Sequence, residues 1–309
     1  MTVKLMVSDL EKEIESYLNK GYRLDMIMPA DSPTTAQISK NGETILLQSS
    51  TDNETISNFD EIIITRFDDN EWVEGRAGMQ YRDLIPGRLG GRVIASHIRL
   101  TKGGPVPDYV HYHKVLFQMI YCKTGWIRVV YEDQGPPFVL NAGDCVLQPP
   151  EIRHRVLESS AGAEVIEIGC PAVHETWVDH DMHLPTDAVK PDRVFNGQPF
   201  VRHIAAEAKW QNSNGFQYRD TNIFDATNGL ANVRVLDCET MWIENSHDNG
   251  FSFYFVLTGK LELNDTNAGY KLNANGSITI AESRHYTIRS TSKSEILQVR
   301  LSPGIVNQS

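Results

Sequence analysis

Two histidines one residue apart stand near the start of the stretch PDYVHYHKVLFQMIYCKTGW, which runs from Pro107 to Trp126. In a β-strand, His111 and His113 would point to the same side, roughly 6.5 Å apart along the strand. Imidazole nitrogens bind transition metals at about 2.0–2.1 Å, so both rings could reach one ion. The pair therefore predicts a metal site, and a strand that merely carries two histidines is the alternative.

A third histidine and a glutamine complete a candidate ligand set. Gln118 opens the next apolar run, and the segment GDCVLQPPEIRH brings back His154 after a further hairpin. Such donors suit iron, nickel, copper and zinc alike, and a neutral amide is a weaker ligand than a carboxylate. The predicted metal ligands are His111, His113, Gln118 and His154. The alternative role for Gln118 is a hydrogen bond to a water or to an imidazole.

Strand parity also predicts which neighbours face this site. Ile120 and Cys122 share the parity of Gln118, and Tyr109 shares that of His111. We expect these side chains to line a pocket around the ion. The alternatives are buried apolar packing for Cys122 and a place at the rim for Tyr109.

A similar pattern occurs twice in the chain. The segments TGWIRVVYEDQGPPFVLNAGDCVLQPPEIRHRV and TGKLELNDTNAGYKLNANGSITIAESRHYTI share a glycine, at Gly125 and Gly259, and an Arg-His pair, at His154 and His285. Short β-rich runs bounded by Gly, Pro, Asn and Asp surround both copies, which is typical of all-β sandwiches and barrels. The sequence therefore predicts an all-β fold of two related barrels in tandem.

These motifs resemble those of the cupin superfamily in its two-barrel form, the bicupins. The family's first motif is Gly, five residues, His-x-His, three or four residues, Glu, six residues, Gly; it corresponds here to His111, His113, Gln118 and Gly125. The second motif is Gly, five residues, Pro-x-Gly, two residues, His; it corresponds to Gly143, Pro149, Glu151 and His154. The resemblance covers roughly residues 70 to 309 and implies two double-stranded β-helix (cupin) barrels.

The chain departs from the family pattern at two positions. Gln118 stands where the family has its metal-binding glutamate, and Glu151 replaces the glycine of the second motif. A wholly neutral donor set leaves the full charge of a divalent cation on the site, which lowers the pKa of a bound water and favours an anionic substrate oxygen.

The second copy has lost part of the ligand pattern. Counting back from Gly259 assigns to it a degenerate site composed of Asn245, His247, Ser252 and His285. Two histidines without a third strong donor make a poor metal site. The second barrel is therefore predicted to be structural or dimer-forming.

The chain divides into three predicted parts. Residues 1–70 contain one amphipathic helical pattern, strand-like runs and a hairpin at Asn41-Gly42, which predicts a small α/β N-terminal cap. Residues 71–188 form the first barrel and residues 189–309 the second, with the boundary in the Pro- and Asp-rich DMHLPTDAVKPDRVFNGQP. The preceding PAVHETWVDHDMHLP, which begins at Pro171 and includes His174, is expected to be solvated surface.

Composition argues against several classes of function. The formal net charge is −11 over 309 residues, and an acidic chain repels phosphate backbones, so nucleic acid is not an expected partner. No apolar run approaches the length of a membrane span, and no secretory signal is recognisable. Four cysteines without a CxxC pair indicate reduced thiols and a cytoplasmic protein.

The cupin resemblance also implies a function. It favours a metal-dependent enzyme with a dioxygenase-type activity on a small organic acid or diketone, since several three-histidine cupins are oxygenases. A metal-dependent isomerase or lyase, and a non-catalytic bicupin that binds a small ligand, are the alternatives. One divalent transition metal is expected, with iron favoured and nickel, manganese or zinc open. Because bicupins often pair, a homodimer is expected as well.

Overall fold

The structure is a computed structural model that describes residues 2–50, 62–67, 72–213, 215–238, 243–246, 250–266, 268–281 and 285–306. Strands form most of the regular structure, so the predicted all-β fold is confirmed. Within these described ranges, no helix is long and apolar enough to cross a membrane.

The N-terminal unit is a helix packed on a four-stranded sheet. Its elements are β1 (Thr2–Val7), α1 (Leu10–Asn19), β2 (Arg23–Met28), β3 (Thr35–Lys40) and β4 (Glu43–Ser49), and the strand order is β1-β4-β3-β2. Asp9 caps α1 by accepting the Lys12 N–H at 3.1 Å. Asn41 and Gly42 have φ values of 50° and 83°, as a tight β3–β4 hairpin requires.

Before the first barrel, the chain forms strand β5 (Ile62–Thr65), which is part of a sheet of the second barrel. Its elements are β6 (Val73–Glu74), β7 (Gln80–Asp83), α2 (Arg88–Gly91), β8 (Ile94–Leu100), β9 (Gly104–Pro105), β10 (His111–His113), β11 (Phe117–Thr124), β12 (Trp126–Tyr131), β13 (Phe138–Asn141), β14 (Cys145–Leu147), β15 (His154–Ser159), β16 (Ala163–Cys170) and β17 (Thr176–Val178). One wall has the order β17-β10-β15-β12-β13, and the other has the order β14-β11-β16-β8-β7-β6.

The second barrel repeats this arrangement after three short strands, β18 (Val194–Phe195), β19 (Gln198–Pro199) and β20 (Val201–His203). Its elements are β21 (Gln211–Ser213), β22 (Phe216–Asp220), α3 (Ile223–Ala226), β23 (Ala231–Cys238), β24 (Ile243–Ser246), β25 (Phe251–Thr258), β26 (Lys260–Asp265), β27 (Gly269–Asn273), β28 (Ser277–Ile280), β29 (Tyr286–Ser290), β30 (Ser294–Leu301) and α4 (Pro303–Val306). Its walls are β21-β22-β23-β30-β25-β28-β5 and β24-β29-β26-β27.

The two barrels share a turn that explains the repeated glycine. Gly125 and Gly259 have φ values of 69° and 80°, a region that glycine adopts without strain. A Cβ at either position would collide with a serine hydroxyl, Ser160 in the first barrel and Ser294 in the second. Each serine instead accepts the N–H of the residue after the glycine at 3.0 Å. The predicted duplication is therefore present in the tertiary structure.

Three apolar cores hold the barrels together. One core fills each barrel, and a third lies between them, built from the outer faces of β11 and β16 and of β23, β25 and β30. Successive residues of β11 serve different cores, with Met119 between the barrels and Ile120 inside the first. A strand buried on both faces has no solvent side, which is why this segment is almost continuously apolar.

Strand pairing crosses the predicted domain boundaries. β5 lies in the range assigned to the cap but pairs with β28 of the second barrel, and β20 lies beyond residue 188 but pairs with β14 of the first. The cap itself continues a wall of the first barrel, because β2 pairs with β17. The divisions at 70/71 and 188/189 stay a prediction.

Candidate metal centre

Three histidines meet inside the first barrel. His111 and His113 lie on one face of β10, and His154, the first residue of β15, pairs directly with His111. Their candidate ligand nitrogens all lie within 4.8 Å of one another. All three side chains are buried. Within the part of the chain that the structure describes, this is the one group of three His, Cys, Asp or Glu side chains close enough to hold an ion.

Main-chain hydrogen bonds set the tautomers of two of these rings. Nδ1 of His111 lies 2.8 Å from the Tyr109 carbonyl oxygen, and Nδ1 of His154 lies 3.0 Å from the Ile152 carbonyl oxygen. A carbonyl oxygen only accepts, so each Nδ1 carries the proton and donates it. Nε2 of both rings therefore keeps its lone pair, which is the form of histidine that binds a metal.

Two further side chains orient the histidine strand. Nδ1 of His113 lies 2.8 Å from the hydroxyl oxygen of Thr176 on the neighbouring β17. The buried carboxylate of Asp108 lies 3.7 Å from Nδ1 of His111 and accepts the Val156 N–H at 3.0 Å. Neither residue was predicted from the sequence: Thr176 reaches the site from a distant segment, and Asp108 lies three residues before His111 in the same stretch.

Gln118 lies at this site in a chain of hydrogen bonds. Its Nε2 donates to Oε1 of Glu167 at 2.6 Å, and its Oε1 accepts from Nε2 of Gln148 at 3.3 Å. The same Gln148 nitrogen lies 3.1 Å from Nε2 of His154. The amide oxygen of Gln118 is thus turned toward the histidines and its nitrogen toward a carboxylate. Whether that oxygen binds the ion directly stays a prediction.

Tyr131 lies at the other end of this chain of hydrogen bonds, next to Gln148. Its hydroxyl donates to Oε1 of Gln148 at 3.0 Å, and its ring stacks on His154 with centroids 5.5 Å apart. Burial raises the pKa of Tyr131, so the hydroxyl remains a neutral donor. This bond fixes the orientation of Gln148 and thereby of its nitrogen beside His154.

A cavity of about 90 Å³ opens beside the histidines. Its polar lining includes the histidines, Gln118, Gln148, Glu167 and His174, and its other walls are largely aliphatic. The aliphatic lining includes Met79, Ile94, Ile98, Leu100, Ile120, Ile127, Val129, Val156 and Val165.

The predicted pocket lining has a mixed outcome. Ile120 lines the cavity, whereas Tyr109 and Cys122 do not. Tyr109 meets His111 edge-on, with ring centroids 5.9 Å apart, and contributes its carbonyl oxygen. Cys122 packs in the first-barrel core, where burial raises the pKa of its thiol to about 12. The thiol is therefore an apolar filler, because a neutral buried thiol is a poor nucleophile and ligand.

Two residues that line the cavity were missed by sequence reasoning. Glu167 is the second of two acids in the otherwise apolar β16, and that interruption was its only signal. The segment of His174 was expected to be solvated surface, which is wrong for this residue, because only 6% of it is exposed. Burial lowers the pKa of His174. Its ring meets His113 edge-on, with centroids 5.3 Å apart.

The second barrel differs at every described counterpart of the site. Ser252 takes the place of Gln118 and is buried, and Asn245 lies in β24 opposite Thr287. His247 lies outside the described residues. His285 is exposed, so its assignment as the counterpart of His154 is wrong. The residue in that position is Tyr286, which pairs with Asp265 as His154 pairs with Tyr131.

A one-residue bulge explains this shift. β15 has an irregularity between the partners of Arg128 and Val129, where Leu157 is the extra residue. β29 pairs with β26 without such a break. The Arg-His pairs therefore match in sequence but lie one position apart in register, and a one-residue shift exchanges the two faces of a strand. In place of ligands, the second barrel has the Tyr254 and Tyr286 hydroxyls 3.1 Å apart.

Comparisons with known proteins give the fold but no close relative. No protein-family model and no curated protein matches the chain. A two-residue deletion variant of oxalate decarboxylase OxdC from Bacillus subtilis is similar, with a TM-score of 0.58 at 15% identity over 82% of this chain and 79% of that one. The same enzyme at pH 4.6 gives 0.56 at 15% identity over 82% and 78%. This likeness agrees with the two-barrel cupin fold expected from the motifs.

Proposed function

We propose that this protein, which has the two-barrel cupin fold, is a metal-dependent enzyme whose ion is held in the first barrel by His111, His113 and His154. The observation that carries the proposal is the orientation of the rings. Two Nε2 lone pairs are set by main-chain hydrogen bonds and lie in a cluster with the third histidine. Metal-binding histidines are commonly oriented in this way, with the other ring nitrogen donating to a main-chain carbonyl.

The donor set fits a divalent transition metal. Three neutral imidazoles suit iron, nickel, copper and zinc, and an amide oxygen such as that of Gln118, which lines the same cavity, is a donor that manganese also accepts. Manganese(II) centres are named for the oxalate decarboxylase that shares the fold, so iron and manganese are the two ions to test first. When bound, such an ion supplies Lewis acidity at substrate oxygen atoms.

The cavity supports a substrate with one polar end and one apolar end. Oxygen atoms of a small carboxylic acid or diketone fit the histidine end, while the aliphatic walls exclude water around the remainder. The enzyme with the same fold is named for oxalate, which is itself a small organic acid.

The favoured reaction is a dioxygenase-type cleavage. Both atoms of O₂ would enter the products as a carbon–carbon bond breaks, so that a β-diketone gives one carboxylic acid and one 2-oxoaldehyde. A largely aliphatic, water-poor cavity favours this chemistry because it admits apolar O₂ and excludes competing hydrolysis.

A metal-dependent isomerase or lyase is the second candidate, and Glu167 is the observation that favours it. Its carboxylate lines the cavity and is 2.6 Å from Nε2 of Gln118. A carboxylate held at this place could accept a proton from a carbon next to a carbonyl. The same residue could also deprotonate a diketone before cleavage, so Glu167 alone does not separate the two reactions.

Metal analysis followed by an oxygen test distinguishes these functions. Purified protein is expected to carry about one equivalent of metal, and His111→Ala should lose it. With acetylacetone as the first probe and 2-oxo acids as further probes, dioxygenase action consumes one O₂ per substrate. Turnover that is equally fast without oxygen supports the isomerase or lyase. A metal-free protein whose melting temperature does not change when metals are added would leave only the non-catalytic binder.

A cytoplasmic location and a homodimer stay predictions.

A further inference from the structure

One wall of the cavity carries a buried hydrogen-bond acceptor without a partner, Nε2 of His174. The residue lies between β16 and β17, and its Nδ1 is 2.7 Å from the Pro171 carbonyl oxygen. Nδ1 therefore carries the proton, and in the neutral ring Nε2 can only accept. This Nε2 is buried and has no hydrogen-bond partner, in a side chain that lines the cavity.

A second acceptor without a partner comes from the N-terminal unit. Asp31 follows β2, and one carboxylate oxygen, Oδ2, accepts from Nη2 of Arg88 at 2.6 Å. The other oxygen, Oδ1, is buried without a partner, and Asp31 also lines the cavity. The cap therefore takes part in the candidate site, beyond its role in extending a wall of the barrel.

The packing around His174 indicates that its position is set by the fold. Gly169, which pairs with Gln118 across β16 and β11, lies beside the imidazole. A Cβ at Gly169 would lie 4.0 Å from Cε1 of His174 and 3.3 Å from Cγ2 of Ile94. The ring is thus confined between this backbone and His113, beside the candidate metal centre.

Buried acceptors normally have donors, and exceptions often mark a place where a ligand supplies one. We propose that Nε2 of His174 accepts the hydrogen of a substrate hydroxyl group, so that the substrate is a hydroxylated small acid or carbonyl compound. This inference rests on the proposed function, because it places the oxygen-bearing end of the same substrate at the histidine cluster. His174 then determines specificity rather than holding the ion.

Charge favours a hydroxyl group over an ammonium group as the donor. Arg88 already neutralises the Asp31 carboxylate through Oδ2, so no further positive charge is needed there. A divalent cation at the three histidines would also repel an ammonium group a few ångströms away. On the far side of the histidine strand, Arg155 of β15 also lines the cavity. As a donor, that arginine complements a carboxylate, not a hydroxyl hydrogen.

A matched pair of ligands tests the inference by binding, without any turnover. The probes are 3-hydroxybutyrate and butyrate, which differ by one hydroxyl, titrated calorimetrically into the manganese-loaded full chain. We expect the wild type to bind the hydroxy acid about tenfold more tightly, since one satisfied buried acceptor is worth about that factor. In His174→Phe the two affinities should become equal. His183→Phe, an exposed histidine of the same segment, should retain the full preference.

Two outcomes overturn the inference. One is equal affinity, or no binding of either probe, in the wild type. The other is a preference that persists in His174→Phe, because the hydroxyl would then be chelating the metal. If His174→Phe does not fold, His174→Leu decides, with the same expected loss of the preference and a retained preference as the contradicting result. Metal content is measured on every sample, so failure of the metal site is distinguishable from failure of the hydroxyl site.

Discussion

His111 and His154 face each other across β10 and β15, and each donates its Nδ1 proton to the carbonyl of the residue two positions earlier. Their ring centroids are 4.3 Å apart. The same local arrangement thus occurs on two antiparallel strands and leaves Nε2 of both rings unprotonated, with that of His154 3.1 Å from the Gln148 amide nitrogen. Because both hydrogen bonds are to the main chain, the site is oriented by the barrel itself before any ion binds.

Removal of one imidazole should abolish metal binding. His154→Ala is expected to weaken the affinity for the ion by more than the roughly 10–100-fold that loss of an outer hydrogen-bond partner causes. Elemental analysis after dialysis against a chelator measures the metal content. His285→Ala is the matched control, since that histidine is exposed in the second barrel. Equal metal content in both variants would contradict the assignment.

The hydroxyl of Thr176 should support metal binding through His113. Thr176→Val keeps the shape of the side chain but removes the 2.8 Å contact with Nδ1. We expect the metal affinity to fall about tenfold, measured by competition with a chelator. Thr221→Val removes a buried hydroxyl that donates to the Val233 carbonyl and should lower stability without changing metal affinity. An unchanged metal affinity in Thr176→Val would show that His113 needs no such support.

Gln118→Glu tests whether this residue binds the ion directly. An anionic donor would tighten metal binding, but it would also stand 2.6 Å from the Glu167 carboxylate, so the metal-free variant should lose about 1–3 kcal/mol of stability. Metal titrations and urea unfolding measure the two effects. In the double variant with Glu167→Gln the stability should return. A metal dissociation constant equal to that of the wild type would place Gln118 outside the ligand set.

Acid should destabilise the fold through His97, which is fully buried. Burial is the largest cause that lowers its pKa from 6.5 to about 4, and Arg82 adds to it against the opposing hydrogen bond to Glu164. The unfolded chain therefore takes up a proton between pH 6.5 and pH 4 that the folded chain does not. The stabilisation is complete above pH 6.5 and is lost as the pH falls through this window.

His97→Gln should remove this part of the pH dependence. Between pH 7 and pH 5 the wild type is expected to lose about 2 kcal/mol more of unfolding free energy than the variant does. Urea unfolding at both pH values measures the difference. Parallel losses in the two proteins would mean that other groups carry the acid sensitivity.

The tyrosine pair of the second barrel should matter for stability alone. Tyr286→Phe removes the 3.1 Å hydrogen bond between the two buried hydroxyls and is expected to cost about 1 kcal/mol. Thermal unfolding and metal analysis of the same sample test this expectation. Metal loss in this variant would indicate that the second barrel contributes to the first-barrel site.

Local spacing was sufficient to predict the repeated barrels and the shared face of His111 and His113, and the resemblance to the cupin motifs added His154. A period of two along a strand places His111 and His113 on one face whatever the rest of the chain does. The repeated glycines mark turns that only residues tolerant of positive φ can form without strain. These features depend on neighbours within a few residues, and such neighbours are visible in the sequence.

The tertiary structure alone decided the rest of the site. His174, Glu167 and Asp31 reach the cavity from three distant segments, and no local pattern records which segments pack together. The mistaken match of His285 to His154 has the same origin, since one extra residue at Leu157 moves a strand by one position without changing its motif. Register is set by pairing with another strand, and a shift of one residue turns each side chain to the opposite face.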